Sequence, residues 1–307
     1  MITDAPPLDH PDRWADPPPV LLPRPSRIFL DRSRRIASLA EGHSMAPWLS
    51  FLGRLTLCQH ELLQKYPPLP LPHGEAPVSL REHPVLPIPA SSLPRDPLWR
   101  QGAAAIAREL LPHAPPPARE VLQSIGTMDS AALEALADRV LGVDLDGPDA
   151  AYLPFVAAAL QVYWTALAAG LDRTKITPAG AAGVCPACGF PPVAGVVRTD
   201  GEVARLRYLH CGLCNTEWHL VRVTCAACRE SSGIAYYHVE GSDGSIRAET
   251  CEACRGYLKI VYRENSPEAD PVADDLATLA LDLAVEEAGY GRMGLNLLSA
   301  PSRGTAA

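Results

Sequence analysis

Four Cys-x-x-Cys pairs determine what the second half of this sequence can fold into. The pairs are formed by Cys185 and Cys188, Cys211 and Cys214, Cys225 and Cys228, and Cys251 and Cys254. Intervals of 22, 10 and 22 residues separate them, so the spacing of the first two pairs repeats at an offset of 40. Each repeat holds an Asp-Gly dipeptide, at 200–201 and 243–244, which favours a hairpin turn. Each repeat is therefore predicted to be one ribbon whose hairpin brings two cysteine turns together.

The cysteine spacing indicates metal binding. A tetrahedral site needs four ligands around one atom, and two Cys-x-x-Cys turns supply them. We expect the first four and the last four cysteines to form one site each, although four turns can also combine in two other ways. Such sites suit both zinc and a rubredoxin-like single iron. Disulfides are disfavoured because the acidic, Pro-rich opening lacks a secretory signal and predicts a cytoplasmic protein, and a thioredoxin-like redox motif would occur once.

The residue after each cysteine turn predicts the backbone shape of that turn. Gly189 supplies a left-handed conformation after the first turn, and Asn215 tolerates the same conformation after the second. Arg229 and Arg255 occupy the equivalent positions of the second repeat. Because arginine disfavours this conformation, the second ribbon is expected to have looser or different loops.

Three further residues could take part in thiol or metal chemistry. His210 lies beside Cys211, and His219 is near Cys214. Since each repeat already has four thiols, both histidines are predicted to be strand residues or to support the ligands from outside the site. Cys58 falls among leucines in a predicted helix, which favours a packed core thiol over a reactive one.

The first half of the chain is predicted to be helical, because apolar residues recur at three- and four-residue spacing. The expected helices cover residues 27–42, 46–66, 97–111, 118–124, 128–141 and 151–170. Ten prolines in residues 67–97 predict a long extended connection, either a strap over the helices or a disordered loop. Residues 150–171 carry no charge and could be a membrane span, but they are Ala-rich and contain Pro154 and Gln161. A central helix buried by its neighbours is favoured.

A helix is also predicted after the ribbons, from Asp270 and Pro271 to about Tyr290. Aspartate suits the N-cap of a helix, and proline suits its first turn. At 100° per residue, four apolar residues share one side and three acidic residues form a stripe beside it. The apolar side consists of Leu276, Leu279, Ala280 and Leu283, and the stripe of Asp275, Asp282 and Glu286. The stripe is either a solvated edge, which is the favoured interpretation, or a partner contact.

Charge and motifs narrow the function classes to three. The net charge of −8 gives no general attraction to nucleic acid or anionic lipid. No Gly-rich phosphate loop, GxSxG elbow or HExxH motif occurs, which is compatible with the first class, an assembly factor without turnover. A rubredoxin-like redox protein is the second class. A nucleic-acid-binding zinc ribbon is the third, but residues 181–263 hold nine basic and eight acidic residues, and two metal–thiolate centres would add further negative charge.

Several runs of the sequence resemble the FdhE family of formate dehydrogenase accessory proteins. The resemblance is carried by CPACGFPPVAGVV, RYLHCGLCNTEWHLVRVTCAAC, AETCEACRGYLKIVYRE and PVADDLATLALDLAVEEAGY, over roughly residues 180–291, and by EGHSM at 41–45. It implies a cytoplasmic factor that is needed to make active formate dehydrogenase and that contacts the enzyme's catalytic subunit. It also implies that all eight ribbon cysteines bind metal, with iron favoured and zinc possible.

The expected fold class is therefore α+β, without membrane insertion. It consists of a Pro-rich tail (1–25), an all-α domain (26–171) with the Pro-rich insertion at 67–97, two rubredoxin-like modules (181–220 and 221–263) and a C-terminal helix (270–291).

Overall fold

Helices occupy the first part of the chain, and one sheet occupies the cysteine-rich part. The computed structural model describes residues 17–71, 86–176, 183–199 and 205–299. The helices are α1 (Ile28–Ala40), α2 (Ala46–Lys65), α3 (Leu98–Leu110), α4 (Pro116–Thr127), α5 (Ser130–Leu141), α6 (Leu153–Ala169), α7 (Ala273–Ala277) and α8 (Leu279–Glu287). The strands are β1 (Val20–Leu21), β2 (Pro192–Arg198), β3 (Leu206–Cys211), β4 (Glu217–His219), β5 (Ile234–Tyr237), β6 (Ile246–Cys251), β7 (Gly256–Tyr262) and β8 (Gly291–Arg292).

The first six helices lie close to the predicted positions. The clearest difference is α4, which begins at Pro116, two residues before the predicted start. Proline is accepted there because the first turn of a helix needs no donor from its N–H groups. Pro47 and Pro154 occupy the first turns of α2 and α6 for the same reason.

Helix α6 is the centre of the helical part, as predicted. It packs against α2, α3 and α5, and nearly all its residues are buried. An apolar surface on every side of a helix calls for neighbours on every side. Among the described residues, no helix is long and apolar enough to cross a membrane.

Both ribbons belong to a single sheet. Strands β2, β3 and β4 are antiparallel in the first ribbon, and β5, β6 and β7 are antiparallel in the second. The two sets join where β2 and β7 run parallel, with Val196 opposite Val261. Strand β1 pairs with β4 at the far edge, with Val20 opposite Trp218. The Pro-rich tail thus contributes a strand that the sequence pattern does not predict.

The two ribbons differ in how they are buried. The first shares one continuous hydrophobic core with the helices, in which Leu160 and Trp164 of α6 pack in the same cluster as Val193 and Leu209. Much of the second ribbon's apolar surface packs instead with the C-terminal helices in a smaller cluster. That cluster consists of Ile246, Ala248, Tyr257, Val261, Ala269, Leu281, Val285 and Tyr290. The first ribbon is therefore part of the main core.

Part of the Pro-rich connection forms a strap over the first cysteine turn. The Ile88 N–H donates to the Ala187 carbonyl, and the Ala90 N–H donates to the Cys188 carbonyl. The Trp164 Nε1–H of α6 donates to the Ile88 carbonyl at 3.1 Å. The sequence predicts either a strap or a disordered loop for this connection, and residues 86–93 form a strap. Residues 72–85, like the predicted turn at 200–201, lie outside the described residues.

The prediction of one continuous C-terminal helix is wrong, because this part of the chain forms two short helices, α7 and α8. The break is at Thr278, whose hydroxyl donates to the Asp274 carbonyl. Asp270 is not the N-cap as predicted, because α7 begins at Ala273 after Val272, but its side chain accepts from the backbone N–H groups of Val272 and Ala273. Because the break changes the helical phase, the predicted apolar side is not buried as one face: Leu276 is buried, whereas Ala280 and Leu283 are exposed.

Candidate metal centres

The structure brings the first four cysteines together in a closed set, which we call the inner cluster. Its members are Cys185, Cys188, Cys211 and Cys214. The sulfurs of Cys185 and Cys214 are 3.6 Å apart, and those of Cys188 and Cys211 are 3.5 Å apart. Four sulfurs placed tetrahedrally at about 2.3 Å from a metal ion would be about 3.8 Å from one another. The spacing therefore suits one tetrahedral ion.

The last four cysteines form a second set, which we call the outer cluster. Its members are Cys225, Cys228, Cys251 and Cys254. Its sulfur–sulfur distances are 3.7 Å for Cys225 and Cys254 and 3.6 Å for Cys228 and Cys251. The clusters thus follow the sequential pairing predicted from the 40-residue repeat. They differ in burial, because all inner cysteines are buried whereas Cys228 and Cys254 are exposed.

The repeat in sequence is also a repeat in hydrogen bonding. In the first ribbon, the Gly189 N–H donates to the Cys185 carbonyl, and the Cys185 N–H donates to the Phe190 carbonyl. Forty residues later, the Arg229 N–H donates to the Cys225 carbonyl in the same way. In the second turn of the inner cluster, the N–H groups of Leu213 and Cys214 lie 3.4 Å from the Cys211 sulfur. N–H groups aimed at sulfur stabilise a thiolate.

The prediction of looser loops in the second ribbon is wrong. Arg229 and Arg255 have φ values of 65° and 55°, in the same left-handed region as Gly189 at 77° and Asn215 at 59°. For arginine this conformation costs about 1–2 kcal/mol. The residue after each of the four turns therefore has the same left-handed backbone conformation. Placing four sulfurs around one point outweighs the conformational preference of that residue.

Burial raises the pKa of some cluster thiols, whereas hydrogen bonds from the neighbouring thiols and Thr216 hold the pKa of Cys214 well below its ordinary value. Burial raises the pKa of Cys188 and of Cys211 well above the ordinary range. In the outer cluster, burial raises the pKa of Cys225 to about 12. A metal ion must displace these protons to bind, so its affinity rises with pH.

Helix α6 holds the second turn of the inner cluster through polar side chains. The Gln161 Nε2–H donates to the Gly212 carbonyl at 2.8 Å. The Asn215 Nδ2–H donates to the Thr165 hydroxyl at 2.8 Å. Gln161 also accepts a hydrogen bond from Gln59, so its buried amide is partnered on both sides. A single glutamine in an otherwise apolar helix is a sequence signal from which the contact between Gln161 and the cysteine turn could have been predicted.

A buried polar network supports the same turn from the other side. Arg32 of α1 donates from Nη2 to the Asn215 Oδ1 at 2.8 Å and pairs through Nε with Asp270. His210 lies between Glu217 and Asn215, with its ring nitrogens 3.2 and 3.1 Å from their side-chain oxygens. Burial alone would raise the pKa of Glu217, but His210 and Arg198 lower it to about 2.

Neither histidine belongs to a set of sulfur ligands. His210 is in β3 and contacts the turn through Asn215, and His219 is in β4, where its ring lies edge-on to Tyr208. Both are strand residues, as the sequence predicts. Cys58 is half-buried, and burial raises its pKa to about 11, which suits a packed thiol.

The favoured interpretation of the acidic stripe as a solvated edge is wrong. Asp275 and Asp282 are buried and pair with Lys259 at 3.1 and 2.6 Å. Arg292 pairs with both carboxylates as well. Burial would raise the pKa of Asp275, but Lys259 and Arg292 keep it below the usual value. Only Glu286 is partly exposed, so the two aspartates bind the C-terminal helices to β7 and β8 rather than face solvent or a partner.

The fold and the sulfur positions define a class of protein, in which helices pack with two ribbons that each bring four cysteines together. Models of the FdhE family match the chain in three consecutive segments, namely FdhE N-terminal at 17–181, the central domain at 184–222 and the C-terminal domain at 223–299. The central segment contains the inner cluster, and the C-terminal segment contains the outer cluster. The chain therefore belongs to the FdhE family.

Individual relatives agree with this assignment. A Protein FdhE homolog of Pseudomonas aeruginosa is 40% identical over 294 residues, which cover 92% of this chain and 94% of the relative. A homolog from Edwardsiella ictaluri is 38% identical over 279 residues, covering 91% and 90%. The crystal structure of the FdhE protein from Pseudomonas aeruginosa matches with a TM-score of 0.76 and 37% identity, covering 93% of this chain and 100% of that one. The resemblance seen in the sequence is thus confirmed.

Proposed function

We propose that this protein is an accessory factor in the maturation of formate dehydrogenase and binds the catalytic subunit of that enzyme in the cytoplasm. The single observation that carries the proposal is the pair of closed four-cysteine clusters in a chain of the FdhE family. The helical domain and the two ribbons would together form the binding surface. No nucleic acid is required by this role.

Each cluster is proposed to hold one resident metal ion. The eight ligands would be the cysteines of the inner and outer clusters, and family resemblance favours iron, with zinc possible. The sulfur spacing supports tetrahedral coordination by either metal. The ions would stabilise the ribbons, because metal binding and folding are coupled in modules of this size.

A role without turnover follows from the proposed coordination. Four thiolates complete a tetrahedral shell and leave no position for a substrate. Such a centre can stabilise the fold of a binding surface or transfer an electron, but it has no open coordination position for hydrolysis or group transfer. We therefore propose that the protein acts by binding and not as an enzyme.

Complementation combined with a pull-down tests this function. A strain that lacks its own accessory protein would receive the wild-type chain, Cys185→Ser, Cys251→Ser or the control Cys58→Ser, whose thiol lies outside both clusters. We expect Cys58→Ser to restore formate dehydrogenase activity and to retain the catalytic subunit, and both cluster variants to lose much of each. If each cluster variant had lost its ion and still bound the subunit and restored full activity, the proposed role of the clusters would be wrong.

A redox role is the second candidate, and the exposure of Cys228 and Cys254 favours it. An iron centre near the surface could exchange an electron with a partner while the inner cluster stays enclosed. Protein purified without air should then show a visible absorbance that a reductant bleaches and air restores. A protein that contains zinc alone and is fully active would exclude this candidate.

A further inference from the structure

A cavity of about 760 Å³ lies between α1, the first ribbon and the loop after β7. Its volume is within the range of sites for small organic ligands. Seven arginines line it: Arg24, Arg27, Arg34, Arg35, Arg173, Arg198 and Arg263. They come from four separate segments of the chain, so the cavity collects about a quarter of the chain's 27 basic residues at one place.

The acidic residues of the cavity do not balance these arginines. Four carboxylates line it, from Asp31, Glu217, Glu268 and Asp270. Asp31 pairs with Arg27, Glu217 with Arg198, and Asp270 with the buried Arg32. The lining thus keeps an excess of three positive charges in a chain whose net charge is −8.

Four arginines and one carboxylate account for this excess. Within the described part of the chain, Arg24, Arg34, Arg173 and Arg263 have no carboxylate at ion-pair distance, and Glu268 has no basic group at that distance. Arg24, Arg34 and Arg173 are exposed. Arg24 precedes α1, Arg34 lies on α1, and Arg173 follows α6. Like charges brought together from distant segments repel one another, and an anion bound among them would offset this repulsion.

The kind of cation and its surroundings indicate the kind of anion. All the basic residues in the lining are arginines, whose planar guanidinium groups make paired hydrogen bonds to phosphate or carboxylate. The N-terminal end of α1 adds a positive dipole and lacks a side-chain cap. Leu21, Leu22 and Ile28 supply apolar surface beside these charges.

We propose that this cavity binds a phosphorylated organic molecule about as large as a nucleotide. A charge excess of three within this volume calls for several negative charges close together, as in a diphosphate or triphosphate group. The apolar residues would contact the organic part of the ligand. Arginines from four segments surround a compact ligand better than they would follow an extended acidic peptide. This site goes beyond the proposed function and does not depend on it.

Calorimetric titration of the full, metal-loaded chain with inorganic pyrophosphate and then with ATP tests the proposal. We expect saturable binding of one molecule per chain, with competition between the two probes and weakening as salt increases. The variant Arg34→Gln/Arg173→Gln should lower the affinity by about tenfold or more, because it removes two charged donors. The matched control Arg54→Gln/Arg108→Gln changes two exposed arginines outside the cavity and should bind as the wild type does.

Three results would overturn the proposal. The first is no saturable binding of either probe at physiological salt. The second is equal weakening in the cavity variant and the control, since general charge would then explain the binding. The third is saturable binding of a glutamate-rich peptide that the cavity variant weakens while neither phosphate probe binds, which would assign the cavity to an acidic polypeptide.

Discussion

At the scale of single residues, the structure shows how strongly cluster geometry constrains the backbone. Arg229 adopts φ 65° at a position where the first ribbon has glycine. A side chain in this conformation brings its Cβ close to the following carbonyl, which is avoided only by glycine. The residue is accepted because the turn must aim two sulfurs at one point.

We predict that Arg229→Gly stabilises the second ribbon relative to Arg229→Ala by about 0.5–1 kcal/mol. Both variants remove the same side chain, so any contacts of the arginine cancel in the comparison. Denaturant unfolding of the metal-loaded protein measures the difference. Equal stability of the two variants would show that the left-handed conformation is not strained there.

Lys259 is the second residue whose contribution to stability can be measured. It lies in the buried ion-pair network that contains two aspartates of the predicted acidic stripe. Its ammonium group pairs with Asp275 and Asp282 and donates to the Asp275 carbonyl at 2.9 Å. Removing one partner of a buried pair leaves the other charges without compensation.

Lys259→Met should lower the free energy of unfolding by about 3 kcal/mol or more, since it keeps the side-chain volume but removes the charge. Thermal or denaturant unfolding followed by circular dichroism gives the value. Lys175→Met is the matched control, because Lys175 is exposed and its nearest carboxylate is 3.9 Å away. Little change is expected in the control, and an equally small change at Lys259 would refute the stabilising role of the network.

At the scale of elements, the two ribbons should respond differently to loss of metal. The inner cluster is enclosed by α6 and by the strap at 86–93, whereas two ligands of the outer cluster are exposed. The first ribbon also shares the core of the helices. The inner ion is therefore expected to be the slower to leave and the more costly to lose.

We predict two ions per chain, of which a chelator removes the outer one first. Cys251→Ser should lose one ion and increase hydrogen exchange in β5 and β6 while α6 stays protected. Cys185→Ser should also lose one ion, but it should increase exchange in α6 as well. Elemental analysis and exchange measured by mass spectrometry give both results. Removal of both ions at one rate, or equal effects of the two variants on α6, would contradict the difference between the clusters.

The elements also show which parts of the fold a sequence can predict. Spacing alone identified both clusters, because a 40-residue repeat leaves few ways to place four ligands around one point. Helix α6 followed from its uncharged, apolar composition. The break at Thr278 and the burial of Asp275 did not follow, since helical periodicity says nothing about Lys259, which approaches from β7. Pairing of β2 with β7, and of β1 with β4, depends on contacts distant in sequence and has no local signal.

At the scale of the whole molecule, positive charge is concentrated rather than spread. A chain with net charge −8 is expected to have no basic face, and composition cannot reveal that four separate segments bring seven arginines to one cavity. Net charge predicts only an average over the surface, and that average gives no general attraction to phosphate. Such an average cannot exclude one local site, because only the fold determines which charges become neighbours.

The pairing of β1 with β4 has a consequence for the order in which the chain reaches its final form. Val20 pairs with Trp218, across roughly 200 residues of intervening chain, and contacts this distant in sequence are slow to form. During synthesis the N-terminal residues leave the ribosome long before the first ribbon exists. The strand at Val20–Leu21 must therefore wait, unpaired, until the cysteine-rich half has been made and β4 has formed. A segment that is translated before the first ribbon is thus among the last to take its final structure, and this edge of the sheet is complete only after the first ribbon has been synthesised.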